Sequence, residues 1–395
     1  MGVGTAGSVD WGNQEGENSV TNAGLGDIDL SEDQTKLYVL NLADKRVYVI
    51  PVADSNGNII TPTSGSAIQV SPALTPVVAT VNGAGSPPTQ MGFLGMGVYN
   101  QKVYVAASYF PSEWGYFGVA VYEHDPIVNA WNITPVLKTP VSNVFDDSYA
   151  ASRVSDIEFD MDGSMILGFL DRYGLQLGNF NYVPNTSSTS TIAVVGAGDI
   201  LRLGIVGGVY QLENNGVVGL GTGGTVTTSS TVANAGPGGK EFYNGEYFNS
   251  ADASTVPPQG TNDGTSHSET SLGSLAFKPG SGEIRVAVFD PRNVNSGGVL
   301  ALSNTNGATI TTGGYEVYPS QTGFFSKGQG LGDLEFVCLP NTLAIGNLVY
   351  KDNNQDGNYD AGTDTPVQNV VLELYQVFNG VPDATPIAKD TTDAS

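Results

Sequence analysis

The strongest constraint on the fold is one short strand pattern that recurs along a chain with almost no helix signal. The segments "GLGDIDL" (24–30) and "GLGDLEF" (330–336) are near copies, and "RVSDIEF" and "SLGSLAF" match them in pattern. We find no convincing long window with apolar residues at positions i, i+3, i+4 and i+7, which an amphipathic helix requires. The sequence therefore predicts an all-β protein.

The strand-forming runs are grouped into meanders. The clearest is "TKLYVLNLADKRVYVIPV" (35–52), which alternates around a polar connection and predicts an antiparallel hairpin. Similar units return at intervals of about 45 to 75 residues, whereas propeller blades repeat every ~40 to 50, and insertions would account for the excess. We predict a β-propeller of about six blades, within a range of five to seven, because radial stacking hides most sheet edges. A β-sandwich is the alternative.

The near copies at 24–30 and 330–336 bear on how the propeller closes. If each opens a blade, five blades lie between them, one of them starting at "GDILRLG", and the second copy opens a sixth. The remaining strands of that sixth blade do not follow it. We expect them to come from sequence upstream of residue 1 or from another chain by strand addition.

The residue pattern of the sequence changes after Pro340. A strand at 343–350 is followed by an acidic loop, a strand at 369–378, a turn at Asn379-Gly380 and a final extended piece. The pattern predicts a propeller-like domain over 1–340 and the start of a small β-sandwich over 341–395, which we expect to continue beyond Ser395.

Charge and rare residues exclude several classes of function. Asp and Glu outnumber Lys and Arg by 39 to 15, which gives a net charge of −24 and disfavours nucleic acid and anionic membranes as partners. No apolar stretch is long enough to insert into a membrane. Cys338 is the one cysteine, so this chain cannot form an internal disulfide. His124 and His267 are isolated in the sequence, which disfavours zinc sites and Ser-His-Asp triads. Abundant Gly, Thr and Ser with little Lys favour a secreted surface protein.

The loop "KDNNQDGNYDAGTD" (351–364) has the spacing of an oxygen-lined calcium site of the EF-hand type. Thr363 stands where the bidentate Glu is expected, and Asp364 follows one residue later. A solvated Asp/Asn-rich turn is the alternative. The predicted Ca²⁺ ligands are Asp352, Asn354, Asp356, Asn358, Asp360 and Asp364, and strands rather than helices flank them.

The segment "IGNLVYKDNNQDGNYDAGTDTPVQNVVLELY" (345–375) resembles the start of the B-type repeat of SdrD-like bacterial surface proteins, which are related to the Cna B fold. The resemblance implies a calcium-stiffened, partial Cna B-like sandwich, usually in tandem, that forms a stalk. "GPGGKEFYNGEYF" (236–248) and "GLGDLEFVCLPNTLAIGN" resemble the propeller-like segment that often precedes such repeats. The resemblance implies no activity for that segment.

Other candidate sites have simpler explanations. Asp160 and Asp162 in "FDMDGSM" fit a hairpin turn without an ion. The glycine-rich "GTGGT" and "GPGGK" match no phosphate-binding motif. The pairs Asp156/Glu158 and Asp333/Glu335 could serve a glycosidase, but the same alternation suits half-buried strands. The aromatic loop with Trp114, Tyr116 and Phe117 could bind sugars or a protein, or pack between blades.

Three functions follow from these patterns. The first is a non-enzymatic extracellular surface protein or adhesin of bacterial type, with no catalytic residues, whose propeller recognises other surface proteins or glycans and whose repeats form a calcium-dependent stalk. The second is a propeller-fold polysaccharide hydrolase or lyase with Asp27, Asp156 and Asp333 as its carboxylates. The third is a self-assembling subunit of an extracellular filament or matrix.

Overall fold

The computed structural model describes residues 24–336 and 349–392 apart from internal gaps. The gaps of two residues or more are 55–57, 62–67, 76–89, 111–116, 142–151, 183–188, 194–195, 229–235, 250–265, 311–313, 320–326, 329–330, 337–348, 354–359, 379–380 and 383–384. The chain divides into two compact units, 1–336 and 337–395.

The first blade is an antiparallel sheet of β1 (Leu25–Leu30), β2 (Lys36–Asn41), β3 (Arg46–Pro51) and β4 (Gln69–Val70), in that spatial order. The hairpin predicted at 35–52 is β2 and β3, with Tyr38 opposite Val49. Buried Val47 and Val49 alternate with partly exposed residues along β3, as a half-buried strand requires.

The second blade contains β5 (Gln90–Tyr99), β6 (Lys102–Phe110), β7 (Phe117–Asp125), β8 (Ala130–Trp131) and β9 (Leu137–Val141), and both β8 and β9 pair with β7. The turn between β5 and β6 is Asn100-Gln101, and both residues have positive φ, at 50° and 60°. Two such residues make the tight hairpin turn whose twist matches the flanking strands.

The third blade contains β10 (Ser152–Phe159), β11 (Met165–Asp171), β14 (Asp199–Val206) and β15 (Val209–Leu212). Between β11 and β14 lie helix α1 (Arg172–Leu177) and a hairpin of β12 (Asn179–Tyr182) and β13 (Thr191–Ala193). The Asp-Gly turn predicted in "FDMDGSM" joins β10 to β11, with the Gly163 N–H donating to the Asp160 carbonyl.

The fourth blade contains β20 (Ser271–Phe277), β21 (Glu283–Phe289), β22 (Gly297–Ser303) and β23 (Tyr315–Tyr318). The long connection before it carries β16 (Val217–Gly219) paired with β17 (Thr225–Thr227), a 3₁₀ helix (Pro237–Gly239), and β18 (Phe248–Asn249) paired with β19 (Ser266–His267).

The fold is all-β with a propeller arrangement, as predicted, but the described residues form four blades rather than about six. One reason is "GDILRLG", which the sequence assigns to the start of a blade. It is β14, the third strand of the sheet that β10 opens. Its residues are buried on both faces, so its composition resembles that of β10 and β20, the first strands of their blades.

Apolar residues on facing sheets form the core between adjacent blades. Leu40 and Val49 of the first blade cluster with Phe93 and Val105 of the second. Equivalent clusters join the second blade to the third and the third to the fourth. Burial of this apolar surface is the main stabilising contribution to the stack.

The inner strands β1, β5, β10 and β20 share one irregularity. Each has a register shift against the next strand of its blade, at Leu25/Ile28, Phe93/Met96, Val154/Asp156 and Ser271/Leu275. A bulge leaves a backbone group outside the ladder and turns the strand. The shared bulge therefore makes backbone N–H groups available to neighbouring blades.

The second near copy, 331–336, packs on the fourth blade. Leu331 and Leu334 contact the cluster of Leu272, Ala287 and Phe289, and the Ser274 hydroxyl donates to the Gly332 carbonyl. The segment thus lies against the fourth blade, and its role as the opener of a further blade stays a prediction. It forms no strand among the described residues.

The second unit consists of short antiparallel pairs. These are β24 (Tyr350–Lys351) with β25 (Thr365–Pro366), β26 (Val371–Leu374) with β29 (Ala388–Thr391), and β27 (Val377–Phe378) with β28 (Val381–Pro382). The unit starts close to the predicted boundary at 340/341. The Cna B-like sandwich stays a prediction.

Within the described part of the chain, no helix has the length and apolar character needed to span a membrane.

Candidate functional site

Six carboxyl groups converge where the inner strands meet. We call them the central cluster: Asp27, Asp29, Asp156, Glu158, Asp333 and Glu335. Asp27 and Asp29 lie on β1, Asp156 and Glu158 on β10, and the last two on 331–336. Asp333 lies close enough to Asp27 and Asp156 to raise the pKa of both carboxyls, after the larger effect of their burial. The structure therefore brings together the three aspartates that the enzyme hypothesis requires.

Two of these aspartates also bind the backbone of a neighbouring blade. Asp27 Oδ2 accepts the N–H of Met96 at 2.8 Å, and Asp156 Oδ2 accepts the N–H of Leu275 at 2.6 Å. Both N–H groups follow directly on the bulges of their strands. Because a buried N–H without a partner is costly, these carboxylates hold adjacent inner strands together.

Gly95 occupies the place in β5 that Asp27 and Asp156 occupy in their strands. Here the backbones themselves approach, since a Cβ on Gly95 would lie 2.5 Å from the Asp156 nitrogen. The inner strands are thus joined by a carboxylate at two junctions and by direct backbone packing at a third.

The central cluster holds protons more tightly than free carboxyls do. Burial, with the nearby Asp333 and Asp29, raises the pKa of Asp27 well above its usual range. Burial raises the pKa of Glu158 to about 8 although the Phe277 N–H opposes the shift, and burial and Asp333 raise the pKa of Glu335 to about 7. Asp333 and Glu335 keep solvent-exposed surface, so their shifts weigh less for stability.

The predicted calcium loop is described in part. Asp352, Asn354, Asp356 and Asn358 lie outside the described residues, whereas Asp360 and Asp364 lie within them. Asp364 is buried, and its two oxygens accept the N–H groups of Asn353 and Asp360, each at 2.8 Å. The residue expected to replace the twelfth ligand therefore holds the backbone at residues 353 and 360. Calcium binding by these six residues stays a prediction.

A second group of carboxylates, absent from the sequence predictions, lies beside the fourth blade. We call Asp199, Glu241, Glu246 and Glu269 the side cluster. One carboxylate oxygen from each lies within 4.8 Å of the others, and all four residues are fully buried. Asp199 begins β14, Glu241 and Glu246 follow the 3₁₀ helix, and Glu269 precedes β20.

Backbone groups orient part of the side cluster. Glu246 Oε2 accepts the Ser271 N–H at 3.0 Å, and Asp199 Oδ1 accepts the Ile200 N–H at 2.5 Å. Thr270 donates both its N–H and its hydroxyl to the Glu246 carbonyl, which fixes the backbone at that residue. The other oxygens, Asp199 Oδ2 and Glu246 Oε1, are buried and accept no hydrogen bond.

The side cluster places four acidic groups of like charge in a site that is buried from solvent. Burial raises the pKa of Asp199 to about 7. Burial first, and then Asp199 and Glu269, raise the pKa of Glu246 well above its usual range. Glu241 and Glu246 belong to "GPGGKEFYNGEYF", so that segment was the one sequence signal pointing here, whereas Asp199 and Glu269 carry no motif.

The remaining candidates are structural or lie outside the described residues. Asp160 forms an ion pair with the buried Arg202 at 2.6 Å, which accounts for it without a metal. His124 is buried, contacts Asn129 and packs on Trp131. Trp114 and Tyr116 lie outside the described residues, and Phe117 begins β7.

No protein-family model matches the chain. Two curated relatives come from Dictyostelium discoideum. Colossin-B is 31% identical over 247 residues, which are 62% of this chain and 6% of that protein. Colossin-A is 30% identical over 211 residues, which are 52% of this chain and 2% of that protein. The matched region is thus a small fraction of either relative, and neither is a bacterial protein.

Among solved structures, the endo-arabinase of Bacteroides thetaiotaomicron is similar with a TM-score of 0.35 and 10% identity, covering 76% of this chain and 83% of that one. A polysaccharide lyase, an ulvan lyase, has a TM-score of 0.31 and 9% identity, covering 73% of this chain and 54% of that one. These similarities are too distant to bear on activity.

Proposed function

We propose that the chain is a non-enzymatic extracellular surface protein, in which a propeller offers a recognition or assembly surface and the acidic loop binds Ca²⁺ in a stalk-forming unit. The observation that carries the proposal is that Asp27 and Asp156 are hydrogen-bonded to the backbone of neighbouring blades. The carboxylates best placed for catalysis each accept a backbone N–H of the next blade. A group used to join strands is poorly placed to transfer protons to a substrate.

The calcium part rests on the loop at 351–364. Asp352, Asp356, Asp360 and Asp364 place four negative charges in a short segment, and a hard cation with six to eight oxygen ligands offsets them. Asp364 supports this because its burial and its two backbone bonds hold the end of the loop in place. An ion that binds only the folded loop stabilises it by mass action.

Limited proteolysis with and without a calcium chelator tests the proposal. We expect chelation to increase cleavage between residues 350 and 365, because the loop loses the ion that orders it. In calcium, the Asp356→Asn variant should be cleaved as readily as the wild type is in chelator. Equal cleavage of the wild-type loop in both conditions would contradict the mechanism.

The convergence of Asp27, Asp156 and Asp333 favours a second candidate, a polysaccharide hydrolase or lyase. A turnover assay on a panel of acidic and neutral glycans separates the two functions. The non-enzymatic proposal expects no turnover above that of an Asp156→Asn control, and turnover that this substitution abolishes would establish the enzyme.

The segment 331–336 favours self-assembly as a further aspect of the function, since it packs on the fourth blade without a partner strand among the described residues. A neighbouring copy could supply strands to it. Light scattering across protein concentrations, with and without calcium, measures this. Growth of larger species with concentration would support assembly, and a constant monomer mass would contradict it.

A further inference from the structure

The side cluster lies outside the proposed calcium loop and is not used by the proposed function. Its four carboxylates come from the start of β14, from the segment after the 3₁₀ helix and from Glu269, two residues before β20. Four buried acidic groups so close together are costly unless protons or a cation offset their charge.

Two observations distinguish this cluster from an ordinary group of acidic residues. Asp199 Oδ2 and Glu246 Oε1 are fully buried and accept no hydrogen bond, although the other oxygen of each carboxylate does. One carboxylate oxygen of Glu241 and one of Glu269 lie within 4.8 Å of one oxygen on each of these two residues, so four acidic groups surround one point. Two buried oxygens of the cluster, one on Asp199 and one on Glu246, are therefore acceptors without a hydrogen-bond donor among the described residues.

The spacing fits a calcium ion. Calcium binds oxygens at about 2.3 to 2.6 Å, so two ligands on opposite sides of the ion lie about 4.6 to 5.2 Å apart. The oxygens of the side cluster lie within 4.8 Å of one another. An all-carboxylate site suits Ca²⁺ better than Mg²⁺, which keeps several waters, or zinc, which takes nitrogen and sulfur ligands.

We propose that Asp199, Glu241, Glu246 and Glu269 form a buried Ca²⁺ site that fastens the connection between the third and fourth blades. Asp199 and Glu246 direct their unbonded oxygens at the ion, while the Ile200 and Ser271 N–H groups hold their other oxygens in place. Because the residues are fully buried, the ion exchanges slowly and is part of the folded propeller.

The raised pKa values describe the same site without the ion. A cluster that lacks a cation keeps protons, with the pKa of Asp199 at about 7 and that of Glu246 higher still. Calcium and protons thus compete for the same oxygens, and calcium binding should release protons.

The test counts calcium in the purified full chain. The background is Asp356→Asn, which removes an ion held by the loop, so this proposal can fail or succeed separately from the proposed function. After dialysis against calcium buffer and then metal-free buffer, elemental analysis should find one Ca²⁺ per chain. Adding Asp199→Asn should remove that ion, since the amide retains an acceptor for the Ile200 N–H but supplies no second anionic oxygen.

Asp156→Asn is the matched control, because it neutralises a buried aspartate in the central cluster. This control should retain the bound ion. The assignment would be overturned if the background protein contained no calcium. It would also be overturned if Asp199→Asn kept the ion or if Asp156→Asn lost it.

Glu246→Gln serves as the second variant if Asp199→Asn does not fold. In addition, calcium but not magnesium should raise the unfolding temperature of the Asp356→Asn background. Identical unfolding temperatures in calcium and in chelator would overturn the proposal without any variant of the side cluster.

Discussion

The central cluster and the side cluster bury the same kind of side chain but differ in how fully its oxygens are hydrogen-bonded. At the centre, Asp27 and Asp156 accept N–H groups that the bulges of β5 and β20 leave available. In the side cluster, one oxygen of Asp199 and one of Glu246 have no donor. Burial alone therefore does not define a site. Asp27 has a backbone donor for each of its two oxygens, whereas Asp199 and Glu246 each have a backbone donor for only one.

The largest effect expected from this comparison is at Asp156. Asp156→Ala leaves the buried Leu275 N–H without its acceptor, and we expect the free energy of unfolding to fall by about 1 to 3 kcal/mol. Asp156→Asn keeps an oxygen for that N–H and should be close to neutral. Urea denaturation measures both. Equal destabilisation by Ala and Asn would show that charge, rather than the inter-blade bond, matters there.

A second effect concerns pH in calcium-free buffer. The unfolded carboxyls have pKa values of about 4, whereas the folded pKa values of Asp199 and Glu158 are raised to about 7 and about 8. The folded state binds more protons, so this contribution is full below the unfolded pKa and is lost as pH rises through 7 to 8. Unfolding temperature should fall from pH 5 to pH 8. A rise over that range would contradict the assigned shifts.

The smallest effect is that of Asp199→Asn without calcium. The substitution removes one like charge and gives the neighbouring carboxylates an N–H donor, so we expect a gain in stability of about 1 kcal/mol or less at pH 8. Thermal unfolding of this variant and the wild type in chelator measures the difference. A clear loss of stability would mean that Asp199 is bonded like Asp156 and that the two clusters do not differ.

Local patterns predicted the β-strands but not their grouping. The hairpin at 35–52 and the inner strands at 24–30, 153–159 and 271–277 follow from alternating apolar residues and the recurring motif. The blade count was wrong because β14 is buried on both faces, so its sequence resembles that of a strand that opens a blade. Its pairing with β11 is set by the tertiary structure and not by the local sequence. Turn chemistry at Gly163 was predictable because an Asp-Gly pair suits a tight hairpin.

The central cluster was partly foreseen, since Asp27, Asp156 and Asp333 share one position of a repeated motif. The side cluster was not, because Asp199 and Glu269 belong to no motif and meet Glu241 and Glu246 through long connections. The calcium loop stands between these cases. Its spacing predicts six calcium ligands, and the structure adds the two backbone hydrogen bonds that Asp364 accepts.

The sequence by itself determined the all-β class, the recurring inner strand and the acidic loop, because each depends on residues that are close along the chain. Only the tertiary structure decided which strands share a blade and which carboxylates meet. Those outcomes depend on where backbone donors point after the sheets have packed, and no spacing along one strand encodes the N–H groups that a neighbouring blade will offer.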